Sequence, residues 1–78
     1  MNDETFKSKY YNPFLETWKI LKLIQYADQT SDSDAQWQRY MKEIDRLRAT
    51  YPDNQFVEHL IRLLYDAGDV IKEENRKT

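Results

Sequence analysis

The chain has 78 residues, with 12 Lys and Arg against 14 Asp and Glu for a formal net charge of −2. A content of 40% hydrophobic, 33% charged and 14% aromatic residues excludes a disordered chain and predicts one domain, residues 1–78, with one modest core. With no cysteine, neither a disulfide framework nor thiolate chemistry is available, so packing or association must hold so small a domain together.

The chain opens MNDETFKSKYYN, which has no basic segment leading into an apolar run and therefore does not read as a secretory signal. Together with the absent cysteines this predicts a cytoplasmic protein. The longest wholly apolar runs are pairs such as Ile20-Leu21 and Leu23-Ile24, against the roughly 20 residues a membrane span needs. Residues 1–11 form an arm carrying Phe6, Tyr10 and Tyr11, which either folds across the rest of the chain, as a short extra helix capped by Asp3, or leaves that place to a second copy.

One glycine in the whole chain argues against hairpins, and the two prolines each follow or flank capping residues, so an all-α chain is expected. The first helix is predicted over 13–28, with Asn12 as N-cap and Pro13 in the first turn. Phe14, Trp18, Ile20, Leu21, Leu23, Ile24 and Ala27 then cover an arc of roughly 220°, about twice an ordinary apolar stripe.

The second helix is predicted over 34–50, with Ser33 capping and Gln36 reaching back as a capping box. Trp37, Tyr40, Met41, Ile44, Leu47 and Tyr51 occupy about 120° of it, a one-sided amphipathic pattern that Pro52 ends. The third helix is predicted over 54–74, with Phe56, Val57, Leu60, Ile61, Leu63, Leu64, Ala67, Val70 and Ile71 in another wide arc. Gly68 interrupts it at a cost of about 1 kcal/mol, yet Val70 and Ile71 keep the period, so the helix is expected to continue, with Gly68 permitting a close crossing and 75–78 left as a frayed tail.

Three amphipathic helices on short connections predict a small antiparallel three-helix bundle with an N-terminal aromatic arm. The narrow second helix cannot cover the wide arcs of the other two. The surplus predicts a partner, either the arm, another protein or a second copy in a homodimer.

Catalytic and metal chemistry find little to work with. His59 is the only histidine and falls beside Arg62 and Asp66 on a polar face, where it reads as a solvated side chain. Asp28, Thr30, Asp32 and Asp34 mimic the start of a calcium loop, but Ser33 stands where the loop needs glycine and Arg39 where it needs a bidentate glutamate. A phosphate-binding glycine loop is absent, and no cofactor, metal or small-molecule ligand is indicated. The expectation is a noncatalytic protein.

Two surface stripes are the candidates for binding. Leu15, Lys19, Lys22 and Tyr26 recur at helical spacing along the polar side of the first helix and, with Phe6, Tyr10 and Tyr11 of the arm, make the expected partner-binding set. Arg39, Lys42 and Arg46 line one side of the second helix and suit an acidic partner or phosphates. Glu43 and Asp45 flank that stripe and Glu58, Asp66 and Asp69 face outward on the third helix, which disfavours nucleic acid. The composition points to a small regulator, inhibitor, adaptor or accessory subunit that contacts a larger protein, with a structural homo-oligomer as the second reading and a nucleic-acid-associated protein as the third.

Overall fold

The computed structural model describes residues 1–29 and 31–77. Helix α1 spans Asp3–Phe6, a π-helical turn spans Lys7–Tyr11, α2 spans Asn12–Lys22, α3 spans Ser33–Thr50 and α4 spans Gln55–Lys77; no strand occurs among the described residues. The first three segments form one rod, because Phe6, Lys7, Tyr11 and Asn12 all keep right-handed helical dihedrals. The architecture is a small all-α three-helix bundle.

The rod corrects the expected start of the first helix. Asn12 is not an N-cap but an interior residue, and the π-turn supplies the reason. Within an α-helix a proline removes one hydrogen bond and drives its ring into the carbonyl four residues back. Here that carbonyl belongs to Lys9. The wider turn, in which the Asn12 N–H reaches back to the Lys7 carbonyl, relieves the collision. The Lys9 carbonyl instead accepts from Asn54 Nδ2 at 3.4 Å. The arm therefore extends the helix and does not fold across the bundle, and its cap is Asn2, whose Oδ1 accepts from the Thr5 N–H at 2.8 Å, rather than Asp3.

The rod also ends earlier than 28. After Lys22 the backbone tightens, with Leu23 N–H bonded to the Ile20 carbonyl and Ile24 N–H to the Leu21 carbonyl. Asp28 then turns left-handed at φ 67°. Ser33 does not close a capping box: its Oγ accepts from the Asp28 N–H, stapling the reversal, and Gln36 Oε1 is buried with no hydrogen-bond partner among the described residues. At the next connection Asn54 Oδ1 caps α4 through the Val57 N–H at 3.1 Å. Helix α4 then runs through Gly68 to Lys77, so the expected frayed tail is helical as far as it is described; Thr78 lies outside the described residues.

Tyr10 packs edge-on to Phe56 at 5.1 Å, while Asn75 Nδ2 donates to the Ala27 carbonyl at 2.7 Å, so α2 and α4 run parallel and α3 runs against both. The core between them holds Ile20, Ile24 and Ala27 from the first helical segment and its turn, Tyr40, Ile44 and Leu47 from α3, and Val57, Ile61 and Leu64 from α4. Tyr40 lies against Gly68, where an added Cβ would stand 3.5 Å from its ring and 3.4 Å from Trp37. Its hydroxyl donates to the Leu64 carbonyl. The close crossing expected at Gly68 is thus a seat for one buried aromatic ring.

The buried face of α2 is rotated from the expected one. Pro13 and Thr17 are buried together with Ile20, and the Thr17 hydroxyl is satisfied by the Pro13 carbonyl at 2.8 Å. Phe14 and Trp18, expected in the core, are instead 59% and 55% exposed. The polar hydroxyl sits inside because a local acceptor is one turn away, and two large rings are turned out as a result.

Candidate functional site

The two displaced rings define the most distinctive surface of the molecule. Phe14, Trp18, Leu21 and Gln25 are spaced at i, i+4, i+7 and i+11, which keeps them on one side of α2 and its continuing turn. That side faces α4, because Trp18, Leu21 and Gln25 line a groove of about 370 Å³ with Ile71, Glu74 and Asn75. The opposite side of α2, at Glu16 and Ile20, opens toward Glu43, Arg46 and Leu47 of α3.

Helix α4 carries a matching stripe. Leu63, Ala67, Val70 and Glu74 repeat the same spacing, and Leu63 and Val70 are 50% and 59% exposed. With α2 and α4 parallel, the two stripes lie side by side as one apolar seam. Aromatic side chains bury about 150–250 Å² each when fully covered. At the exposures observed, Phe14, Trp18, Leu63 and Val70 together present about 400 Å² of apolar surface, within the roughly 300–600 Å² of the largest patch on a typical monomer, which is often functional.

The residues singled out from sequence border this seam. Leu15, Lys19, Lys22 and Tyr26 sit one position further round the helix than the Phe14 stripe and so form its outer bank. Lys22 lines the groove itself, Lys19 pairs with Glu16 at 3.6 Å, Tyr26 is exposed, and Leu15 is half-buried rather than fully displayed. Phe6 and Tyr11 are exposed on the rod, while Tyr10 is held between Phe6 at 5.0 Å and Phe56 at 5.1 Å. Arg39, Lys42 and Arg46 are exposed on α3, away from the seam, with Arg46 3.6 Å from Glu43.

His59 is exposed beside Arg62 and Asp66 in a shallow depression of α4. Thr30 of the acidic loop lies outside the described residues. Among the described residues no group of three or more His, Asp or Glu side chains could hold a metal ion, and no helix is long and apolar enough to cross a membrane. Among the described residues the clearest acid–base displacement is at Tyr40, whose phenol is pushed up to about 12, first by burial and then by the nearby Asp69 carboxylate. That places it with the core, not with reactive chemistry.

Sequence reasoning assigned Phe14 and Trp18 to the interior and so missed the centre of this surface. The signal that could have located it was the width of the two apolar arcs, which exceeded what one neighbour can cover. Comparison with family models, characterised proteins and solved structures found no match for this chain.

Proposed function

We propose that this chain is a noncatalytic protein-binding module, a small regulator, adaptor or accessory subunit, whose working surface is the α2–α4 seam. The observation that carries this reading is the outward display of Phe14 and Trp18 beside Leu63 and Val70, half or more of each side chain being open to water. Scattered exposed apolar residues are ordinary on any surface; four of them on two neighbouring helical stripes are a concentration that supports a binding role. Trp and other aromatic residues at the centre of such patches carry a large share of binding energy when a partner covers them.

Helical modules recognise each other by laying apolar stripes into grooves, with charged edges fixing register. The groove between Trp18 and Ile71, bordered by Lys22 and Glu74, has both features. The test is capture from the native host with tagged wild-type chain and with a Trp18→Ser, Val70→Ser variant. Both substituted side chains are exposed, so the far-ultraviolet circular dichroism stays that of the wild type while the captured protein is lost. Equal capture by the two chains would refute the reading.

A further inference from the structure

The charges along the seam are unequal on the two helices. The outer bank of α2 carries Lys19 and Lys22, whereas α4 carries Asp66 in the depression beside Leu63 and Val70, Glu74 in the groove and Glu73 next to it, against one base, Arg62, in the same depression as Asp66. The two banks lie at the same height, since Lys22 and Glu74 line one groove and the helices run parallel. A face with one apolar seam, one basic bank and one bank that is net acidic is complementary to itself.

We infer that the occupant of the seam is a second copy of this chain, joined by a two-fold axis parallel to the helices. This rests on the seam being the working surface. An isologous contact pairs each surface with its own image. With the axis along the helices, α2 of one copy covers α4 of the other and every residue keeps its height, so Lys19 and Lys22 meet the Asp66, Glu73 and Glu74 bank. The other two-fold arrangement, with the axis across the helices, sets α2 on α2 and α4 on α4. It brings acidic bank against acidic bank, and like charges in apposition oppose association.

The area agrees with this occupant. About 400 Å² of exposed apolar surface per copy gives about 800 Å² across the pair. A standard interface buries about 1,600 Å² in all, somewhat over half of it apolar. Fully covered, the seam supplies about 800 of the roughly 900 Å² of apolar area in such an interface, from α2 and α4 alone.

Reciprocal charge reversal tests both the occupant and its orientation. The wild-type chain, followed by light scattering on size exclusion over a wide concentration range, is expected to approach twice its 9.5 kDa mass. Lys19→Glu with Lys22→Glu, and separately Asp66→Lys with Glu73→Lys, are each expected to weaken self-association at least tenfold. An equimolar mixture of the two variants is expected to restore the doubled mass, because each altered bank then meets its complement and each unaltered bank meets its own. Restoration also shows that both variants are folded. A wild-type chain that stays monomeric at every concentration overturns the inference and leaves capture through the seam to be judged by its own variant. A dimer indifferent to both reversals, or two weakened variants that do not rescue each other, overturns the arrangement.

Discussion

Gly68 is buried in the middle of α4 with Trp37 and Tyr40 across from it, a position where glycine is easily taken as indispensable for the helix crossing. The distances argue otherwise. A Cβ at residue 68 would stand 3.4 Å from Trp37 Cζ3, 3.5 Å from Tyr40 Cε2 and 3.7 Å from the Tyr40 hydroxyl, all within ordinary van der Waals contact. Gly68→Ala therefore adds a methyl group without displacing either ring, and it removes the backbone entropy that glycine loses in a helix, about 0.5–1 kcal/mol. The expected result is stabilisation of about 1 kcal/mol, which for a domain of this size raises the melting temperature by about 4–8 °C. Gly68→Val is the control. Its two γ-carbons extend into atoms already in contact, and overpacking of this kind costs about 1–3 kcal/mol. Urea unfolding of the three chains by circular dichroism, at one fixed concentration, gives the order Ala above Gly above Val. Destabilisation of the alanine variant by more than about 1 kcal/mol, or a valine variant as stable as alanine, would show that the crossing is tighter than these contacts require.

Other expectations follow from the same contacts. The Tyr40 phenol has its pKa raised from 10.0 to about 12 in the fold, so its contribution is complete below about pH 10 and is lost as pH climbs toward 12; unfolding at stepped pH should show a decline on the order of 2–3 kcal/mol that Tyr40→Phe flattens. At neutral pH the same variant loses the bond to the Leu64 carbonyl and is expected to cost about 0.5–1.5 kcal/mol in chemical denaturation. Leu64→Ala empties a site with no exposed surface and should cost about 2–5 kcal/mol, whereas Leu63→Ala, at half exposure one residue earlier, should fall well below that in the same assay. Asn54→Ala removes the α4 cap and the donor to the Lys9 carbonyl together, while Asn54→Asp keeps a capping oxygen and removes only the donor; the aspartate variant is expected to be the more stable by about 1 kcal/mol in thermal unfolding.

Helix type and number were legible because the apolar periods are long and the glycine content is low. The continuation through Gly68 was readable from Val70 and Ile71, which resume the period after the interruption. Orientation about the helix axis was not. A hydropathy pattern weighs Phe14 and Trp18 above Pro13 and Thr17, but the Thr17 hydroxyl carries its acceptor with it, the Pro13 carbonyl one turn earlier, and so enters the core at small cost. Nor did Asn12-Pro13 mark a boundary. The pair has the composition of a helix start, yet a π-turn upstream accommodates proline within a helix already under way, and the donor that serves the displaced carbonyl comes from Asn54, distant in sequence. Ser33 illustrates the same limit: its oxygen is used across the loop, by the Asp28 N–H, where local spacing pointed to its own helix.

The π-turn also bears on why the arm leaves the seam uncovered. A helix newly capped at Asn12 would leave residues 1–11 on a flexible joint, free to fold their three aromatic rings over Phe14 and Trp18. A continuous rod removes the joint. The arm then follows the axis of α2, with no residue of α1 buried, and the molecule is drawn out to 44 Å along its longest axis against 20 and 16 Å across. Tyr10 is fixed between Phe6 and Phe56 at the start of α4, about two turns along the rod from Trp18. The segment best placed in sequence to cover the apolar surplus is thereby committed elsewhere. Two wide apolar arcs meet one narrow one, and the difference stays on the surface as the stripe from Phe14 to Val70. The geometry of a single proline turn thus bears on whether the surplus of α2 and α4 is covered within the chain or left on its surface.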